Sequence, residues 1–492
     1  MNIYLIGHTY QYAVEQSLLT LFPGQKPVYP SAPEPGESIT VKQTRGRRWT
    51  TMTTTLRFTA GTYRGSARIE NSRLTQEPFV TDRLLQRLVR QSFYKAALKS
   101  GIPAPEWGAL TGVRPTKLMT RLMERGLTDA QAKREFRREF GVSPARAELC
   151  VDTAHDSMTA AASLTDKSVC LYVGIPFCPT RCAYCSFVSQ AVAKSMKLID
   201  PFFDALLQEV EATAKQVRAL GLQPVSLYMG GGTPTTLSAP QLDALFSKLE
   251  AEFDLSKLRE NTVEAGRPDT ITKEKLEVLK AHGVTRVSVN PQTMEDSVLD
   301  AIGRKHTARD ILDALSLVRE TGGMAVNMDL IAGLPTDTPD GFRRTLDTVL
   351  SLSPENVTVH TLSLKKGATL KDEGGDVPGA QDVAQMLDYA FPRLRAAGYR
   401  PYYLYRQKNM AGGFENTGWT RPGAENLYNI CIMEELCSIL AMGAGGSTKL
   451  IAPTGKIQRI FAPKYPNEYI ANIQKTCSDK ERIEAFYGIS SQ

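Results

Sequence analysis

The sequence lacks any long apolar run, so no membrane-spanning helix is expected and the chain is predicted to be globular. None of its hydrophobic stretches approaches the ~20 consecutive apolar residues that a membrane-spanning helix requires. Residues 1–8 contain no basic segment followed by an apolar core, so no secretory signal is expected. The 42% hydrophobic and 23% charged residues are ordinary for a globular protein, and 492 residues predict two to three domains.

Cysteines are few, and outside one segment they are scattered. Five of the eight show no regular spacing: Cys150, Cys170, Cys431, Cys437 and Cys477. A secreted domain stapled by disulfides would show a framework of spacings. The pattern therefore predicts reduced thiols and a cytoplasmic location.

The excess of one charge sign is also small. The formal net charge is +7, and the basic segments at 42–48 and 133–140 could contact phosphates. In the second segment, Glu135 and Glu139 interrupt the basic residues, and Phe136 and Phe140 stand at the spacing of an amphipathic helix. We therefore do not expect a nucleic-acid partner.

Three cysteines stand close together, directly after an apolar stretch at 169–175. Cys178, Cys182 and Cys185 form a Cys-x3-Cys-x2-Cys run. A four-iron cluster needs four ligands, so three cysteines leave one iron open to another molecule. Zinc would need a fourth Cys or His, and all five histidines are at least twenty residues away in sequence, although a distant residue could fold back. The spacing favours an iron–sulfur cluster over zinc or a structural trio of thiols.

The central third of the chain alternates short apolar runs with helical segments. Strands are predicted at 169–175, 225–229, 261–265, 286–290, 326–332 and 357–364. Helix starts are predicted at Asp200–Pro201, at the capping boxes of Ser238 with Gln241 and Thr307 with Asp310, and at Thr338–Pro339. This alternation is typical of parallel βα units, and six units predict a partial (β/α)6 barrel of the α/β class, similar to part of a TIM barrel.

We expect three regions. Residues 1–160 are predicted to form an α/β appendage of unknown role, with strands at 1–7, 51–58 and 67–70 and a helix at 12–22. Residues 165–370 are the predicted barrel. Residues 371–492 are predicted to be an α+β region that covers the substrate.

In a βα barrel, the residues just beyond each strand build the site. The cysteine loop lies there, and Gly230–Gly231–Gly232 follows the second strand, although a plain structural turn would also explain it. Glu264 and Asp329 stand within apolar strands, where an unpaired carboxylate is costly, so both are functional candidates. Gln292 could cap a turn, and Arg304 and His306 could belong to a solvated helix approach.

These motifs together resemble a known family. The elements are Tyr172 six residues before Cys178, the three cysteines, Gly-Gly-Gly-Thr-Pro at 230–234, Glu264, Gln292, Gly-Arg-Lys-His at 303–306, Asn-Met-Asp-Leu-Ile-Ala-Gly-Leu-Pro at 327–335 and Gly-Ala-Gly-Gly at 443–446. In this order and spacing, residues 169–449 resemble the radical S-adenosylmethionine (SAM) enzymes of the oxygen-independent coproporphyrinogen III oxidase family. The segments 110–117 and 402–410 are similar to the HemZ-type branch.

The resemblance implies a [4Fe-4S] cluster on Cys178, Cys182 and Cys185, whose open iron holds the amino and carboxylate groups of SAM. One electron from the cluster then cleaves SAM to a 5'-deoxyadenosyl radical, and the oxidases hold a second SAM beside the first. The implied cofactor contacts are Gly231, Gly232 and Thr233 to the methionine amino end, Arg304 to its carboxylate, Glu264 and Asp329 to the ribose, and Tyr172, Tyr184, Gln292, Ser363 and 443–446 as further pocket residues. A reduced flavodoxin or ferredoxin would be the electron donor.

The implied reaction is oxidative decarboxylation of two propionates of coproporphyrinogen III, which gives protoporphyrinogen IX. We expect Tyr172 and Arg406 to act at the substrate, with the Arg406 fork binding a propionate. The aromatic run at 402–405 is expected more often to pack a core than to stack on a macrocycle. Lys408 follows the same run.

Two departures from the family pattern are visible. The best-known oxidases carry a fourth cysteine where this chain has Phe187. Haem chaperones of the family carry a ligand histidine where this chain has Glu425, which favours an enzyme over a chaperone. A haem-binding carrier and a radical enzyme that opens or methylates haem remain the alternatives.

Overall fold

The structure is a computed structural model that describes residues 1–74, 77–186, 190–365, 368–373, 376–407, 411–452 and 454–490. The chain divides into two compact units. The first comprises Met1–Val151 with Gly412–Phe414, and the second comprises Asp152–Ala411 with Glu415–Gln492. No helix in the described ranges is long and apolar enough to cross a membrane, and a cytoplasmic location stays a prediction.

The first unit contains a four-stranded sheet in the order β1-β2-β3-β4. Its strands are β1 Asn2–Ile6, β2 Ser38–Arg45, β3 Trp49–Phe58 and β4 Gly61–Glu70. Only β1 and β2 pair in parallel. The helices that begin in this unit are α1 Gln11–Leu21, α2 Pro78–Lys99, α3 Pro115–Glu124, α4 Asp129–Phe140 and α5 Pro144–Ala162. A core of alternate strand residues and apolar faces of α1 and α2 holds it together.

The predictions for this unit were right for β1, β3 and α1, and β4 is longer than expected. Strand β2 was missed, because the basic residues at 42–48 were read only as a charge cluster. Ile39 and Val41 are fully buried in β2, while Lys42, next to Val41, is exposed. The amphipathic helix at 133–140 is confirmed, since Phe136 and Phe140 of α4 are buried.

The second unit is built on an open sheet of eleven strands in the order β13-β14-β12-β11-β10-β9-β8-β5-β15-β16-β17. Its six central parallel strands are β5 Ser168–Ile175, β8 Gln223–Gly231, β9 Glu260–Val263, β10 Arg286–Ser288, β11 Ala325–Ala332 and β12 Asn356–Thr361. The others are β13 Arg400–Arg406, β14 Glu415–Thr420, β15 Ser438–Met442, β16 Ser447–Ile451 and β17 Ile457–Phe461, and a separate pair is β6 Phe177–Cys178 with β7 Gln190–Ala191. The predicted partial (β/α)6 barrel is confirmed.

Helices follow the parallel strands as the capping signals predicted. They are α6 Val192–Ser195, α7 Ile199–Leu220, α8 Ala239–Glu252, α9 Lys273–Ala281, α10 Asp296–Ala301, α11 Ala308–Thr321, α12 Pro339–Ser351, α13 Thr369–Glu373, α14 Ala380–Ala396, α15 Leu427–Glu434, α16 Pro466–Ala471, α17 Ile473–Ser478 and α18 Glu481–Ser490. Both capping boxes form, at Ser238 with Gln241 and at Thr307 with Asp310.

Three strands end earlier than predicted, and this decides where the site residues lie. Strand β9 ends at Val263, β10 at Ser288 and β12 at Thr361. Glu264 and Ser363, which were expected within strands, therefore belong to the connections after them, as Gln292 does. The region 371–492 supplies β13 to β17, which extend the barrel sheet at both ends, and the three-region division of the chain stays a prediction.

Candidate active site

A cavity of about 570 Å³ lies against the barrel strands and the loops that follow them. Thirteen of the fourteen predicted site residues line it: Tyr172, Cys178, Cys182, Tyr184, Cys185, Gly231, Gly232, Thr233, Glu264, Gln292, Arg304, Asp329 and Ser363. Gly445 of the 443–446 turn lines it as well. The exception is Arg406.

The cysteine loop is held by hydrogen bonds to its neighbours. The Thr233 hydroxyl donates to Cys178 Sγ at 3.5 Å, and Ala183 N donates to Ile302 O at 3.0 Å. Cys182 is 9% exposed. The loop is thus anchored at both ends, and its cysteines face the cavity. Phe187 and Lys408 lie outside the described residues.

The glycine run at the end of β8 lies against the start of this loop. Gly232 N donates to Ile175 O, and Thr233 N donates to Phe177 O, both at 2.7 Å. A Cβ at Gly232 would lie 2.4 Å from Phe177 O, closer than real side chains come to a carbonyl. Gly231 has φ +104°, a region that favours glycine. The two glycines are therefore required by this contact, and a plain turn does not account for them.

Glu264 faces the cavity beside the glycine run. Its Oε1 accepts a hydrogen bond from the Tyr228 hydroxyl at 2.5 Å. Burial raises the pKa of Glu264 to about 7; the Tyr228 hydrogen bond opposes this shift and the negative charge of Asp329 adds to it.

Asp329 on β11 has different surroundings. Its Oδ1 accepts from Asn327 Nδ2 at 2.8 Å, and His360 Nε2 lies 3.7 Å from Oδ2. Burial acts to raise the pKa of Asp329, but His360, Asn327 and Thr358 outweigh it and hold the pKa below its usual value. The cavity therefore contains one carboxylate that is ionised and one that titrates near neutral pH.

Arg304 is a buried group rather than part of a solvated helix approach. It is 7% exposed, its Nη1 donates to Asn290 O at 2.6 Å, and its Nη2 donates to Tyr184 Oη at 3.5 Å. His306 is also buried, and burial together with the charges of Arg304 and Arg267 lowers its pKa to about 3. The imidazole is neutral at physiological pH, and His306 does not line the cavity.

Gln292 has a left-handed backbone, with φ 67°. Its N–H donates to Asp329 O at 2.9 Å, and its carbonyl accepts from Ile331 N at 3.0 Å. Two hydrogen bonds to β11 thus hold a conformation that L-residues rarely adopt. The bonds fix the side chain at the cavity wall beside Asp329.

Tyrosines form a large part of the wall, and most were missed by sequence reasoning. The rings of Tyr228 and Tyr428 stack at 4.3 Å, and Tyr172 lies 6.0 Å from Tyr428. Tyr402 and Tyr403 belong to a buried core cluster, and Tyr403 and Tyr405 line the cavity. The expectation that this aromatic run packs a core is thus right for Tyr402 and Tyr403, but Tyr403 and Tyr405 also face the cavity. Period-two alternation along β13 is the signal that could have separated them.

The same alternation accounts for Arg406. It lies on β13 next to Tyr405, so its side chain leaves the strand on the opposite face, and it is 8% exposed. Within the described part of the chain, Arg406 is not on the cavity wall. Basic side chains that are on the wall and were not predicted are Arg267, His360 and Lys365.

A second group of thiols lies away from this loop. The sulfurs of Cys170, Cys431 and Cys437 lie within 4.8 Å of one another, in an apolar cluster that includes Leu427 and Ile439. Thiolates in such surroundings are costly, so reduced thiols packing as small apolar side chains fit the site better than a metal centre.

A family model described as the Radical SAM superfamily matches residues 172–349. The chain is 39% identical over 381 residues to the oxygen-independent coproporphyrinogen-III oxidase-like protein HemZ of Bacillus subtilis (strain 168), which covers 76% of each chain. The chain belongs to this family of radical SAM proteins.

Other relatives of this chain differ in their described roles. The heme chaperone HemW of Haemophilus influenzae is 27% identical over 302 residues, which is 61% of this chain and 75% of that protein. The structure of coproporphyrinogen III oxidase HemN from Escherichia coli, described as a radical SAM enzyme, matches with a TM-score of 0.52 and 25% identity, over 66% of this chain and 73% of that one.

Membership implies a [4Fe-4S] cluster and SAM, and the residues present fit both. Three cysteines face one cavity, and hydroxyl and guanidinium donors approach two of their sulfurs. Beside them, Gly232 leaves a cradle that a Cβ would fill. An ionised carboxylate and a buried arginine complete the set of partners that a zwitterionic nucleoside needs.

Proposed function

We propose that this protein oxidatively decarboxylates propionate side chains of coproporphyrinogen III to vinyl groups, giving protoporphyrinogen IX. The observation that carries the proposal is one cavity lined by the cysteine loop, which includes Tyr184, and by five further tyrosines: Tyr172, Tyr228, Tyr403, Tyr405 and Tyr428. A flat tetrapyrrole has the apolar faces that such rings contact. The relatedness to HemZ and HemN supports the same substrate class.

When bound, the cluster and SAM supply the radical chemistry that removes hydrogen from an unactivated carbon. In the proposal, Cys178, Cys182 and Cys185 hold the cluster. Gly231, Gly232 and Thr233 bind the methionine amino end, and Arg304 faces its carboxylate. Asp329 and Glu264 accept hydrogen bonds from ribose hydroxyls, while Tyr184, Gln292 and Ser363 complete the pocket. We propose one SAM at these residues, and the oxidase pattern implies a second SAM beside it.

Each propionate loses one hydrogen atom, one carbon dioxide and one electron, and the electron must leave to an acceptor. A reduced flavodoxin or ferredoxin is the proposed donor for the cluster. Burial raises the pKa of Tyr172 well above its ordinary value, so its phenol stays protonated and can donate to a substrate carboxylate. Lys365 is on the wall and Arg406 is not, so we assign the propionate ion pair to Lys365.

The test uses anaerobic, cluster-reconstituted full-length protein with SAM, a reductant and coproporphyrinogen III. Mass spectrometry should detect a product that has lost two carbon dioxide molecules. Cys182→Ala should abolish both the visible absorbance of the cluster and the product. In the same assay, Lys365→Leu should raise the KM for the porphyrinogen, with Arg406→Leu as the matched control. A higher KM in Arg406→Leu alone would instead support the role expected from the sequence.

Haem delivery is the second candidate, because HemW relatives are described as chaperones. Glu425, at the position of their ligand histidine, forms ion pairs with Arg400, and among the described residues it does not line the cavity. This carboxylate therefore suits an ion-pair network better than a haem iron. Stoichiometric, tight haem binding without decarboxylated product would overturn the oxidase proposal in favour of the carrier. Conversion of added haem itself would favour a radical enzyme acting on haem.

A further inference from the structure

Arg267 was not among the residues expected from the sequence, yet its side chain reaches the cysteine loop. It follows β9 by a short turn, is 3% exposed and lines the cavity. Nη1 donates to Cys182 Sγ at 3.8 Å, Nη2 donates to Thr180 Oγ1 at 3.0 Å, and Nε donates to Asp269 Oδ1 at 3.3 Å. The guanidinium is therefore held in one orientation, with one of its N–H groups committed to a cysteine sulfur.

The partners of Arg267 fix its place from two directions. Thr180, two residues after Cys178, donates its hydroxyl hydrogen to Gly303 O at 3.2 Å. Asp269 is the only carboxylate paired with Arg267 among the described residues, and its side chain is 37% exposed. Water therefore weakens the field of Asp269 at the loop more than it weakens the field of the buried guanidinium.

A positive charge beside a ligand sulfur acts on the two redox states of a cluster unequally. Reduction adds one negative charge, so a nearby cation stabilises the reduced state more than the oxidised state. Hydrogen bonds to the ligand sulfurs and net charge are established determinants of the reduction potentials of iron–sulfur clusters. An arginine keeps its charge at every physiological pH.

We propose that Arg267 is a positioning residue that holds Cys182 and raises the reduction potential of the bound cluster, which makes the cluster easier to reduce by a physiological donor. The proposal rests on the cofactor of the proposed function but not on its substrate. In this proposal the turn after β9 promotes electron transfer into the cluster, whereas the glycine run at the end of β8 binds SAM.

The test is an anaerobic redox titration of reconstituted full-length protein without SAM or substrate, followed by electron paramagnetic resonance of the reduced cluster. Arg267→Gln should lower the ratio of reduced to oxidised cluster about tenfold at a fixed potential, which for a one-electron couple corresponds to about 59 mV toward more negative values. Arg267→Lys, which keeps the charge, should shift the ratio by less. An Arg267→Gln protein with full iron content and an unchanged potential would overturn the proposal.

Asp269→Asn provides an independent readout of opposite sign. Removing this carboxylate leaves the charge of Arg267 uncompensated, so the reduced fraction should rise, whereas a merely structural role predicts no rise. If Arg267→Gln fails to retain iron, the reduction potential of the cluster in Asp269→Asn decides the test. An unchanged or more negative potential in that variant would overturn the proposal. Arg319→Gln, at an exposed ion pair with Glu355, is the matched control and should leave the potential unchanged. Because no porphyrinogen is present, a failure of the decarboxylation assay leaves this outcome unaffected.

Discussion

Glu264 and Asp329 face the same cavity, and their surroundings move their pKa values in opposite directions. Asp329 has His360 and two hydrogen-bond donors nearby, whereas burial dominates at Glu264. Paired groups whose pKa values are separated in this way are typical of functional sites. Since Glu264 takes a proton near pH 7, only its ionised form offers a charged acceptor to a ribose hydroxyl.

This difference predicts a pH dependence of SAM binding. A carboxyl with a pKa of about 7 is ionised above that pH and protonated below it, so binding should weaken by up to about tenfold from pH 8 to pH 6. Calorimetric titration at both pH values measures the effect. The affinity of Glu264→Gln for SAM should be the same at pH 6 and pH 8. Asp329→Asn should bind SAM weakly at both pH values. Equal wild-type affinity at pH 6 and pH 8 would contradict the assignment.

The residues that sequence reasoning located are those whose types are unusual for their setting. Closely spaced cysteines, and a carboxylate such as Asp329 inside an apolar strand, can be recognised as functional candidates from the sequence alone. Arg267 had no such signal, because an arginine after a strand is ordinary and its contact with Cys182 depends on the turn that follows β9. Arg406 lies off the described cavity wall because alternation along β13 places it on the face opposite Tyr405, and its role at the substrate stays a prediction.

At the scale of elements, the end of β8 and the start of the cysteine loop are in direct backbone contact. The glycine run lies against the carbonyl groups of Ile175 and Phe177, and backbone hydrogen bonds from Gly232 and Thr233 join it to the start of the cysteine loop. Strand periods and capping boxes predicted the elements on either side, but the direct contact between two loops could not be read from either segment alone.

Gly232→Ala should disturb this contact. Its Cβ would lie 2.4 Å from Phe177 O, so the loop must shift, and we expect at least a tenfold loss of SAM affinity with a lower iron content. Calorimetry and iron analysis measure the two effects. Gly488→Ala is the control, because its Cβ would meet nothing within 4 Å in helix α18, and it should leave both unchanged. Normal affinity in Gly232→Ala would show that the loop is free to adjust.

At the scale of the second unit, a buried ion pair connects three parts of the sequence. Glu209 on α7 lies 2.6 Å from Lys480 Nζ, it accepts from Gly443 N at 2.7 Å, and Lys480 also donates to Ala441 O. Both side chains are almost completely buried. The pair therefore anchors the glycine turn after β15, whose Gly445 reaches the cavity. No motif of the sequence indicated it, because its members are more than 230 residues apart.

Removing one partner should be strongly destabilising. Lys480→Met leaves the carboxylate of Glu209 buried without a counter-ion, and we expect a loss of about 3–5 kcal/mol in the free energy of unfolding of this unit. Denaturant titration followed by tryptophan fluorescence measures it. Combining Lys480→Met with Glu209→Gln should recover part of the loss, because no unpaired charge remains. A single variant as stable as the wild type would mean that water reaches the pair.

The parallel pairing of β5 with β15 has a consequence for the biogenesis of the protein. Cys170 on β5 and its partner Ile439 on β15 are more than 260 residues apart. Strand β5, which leads into the cysteine loop, is therefore synthesised long before β15, one of the strands that it pairs with. Pairings of such long range form late in folding. The folded surroundings of the cysteine loop would therefore be complete only after the ribosome has made the last strands. A truncated chain would expose its cysteines to metal ions without these surroundings.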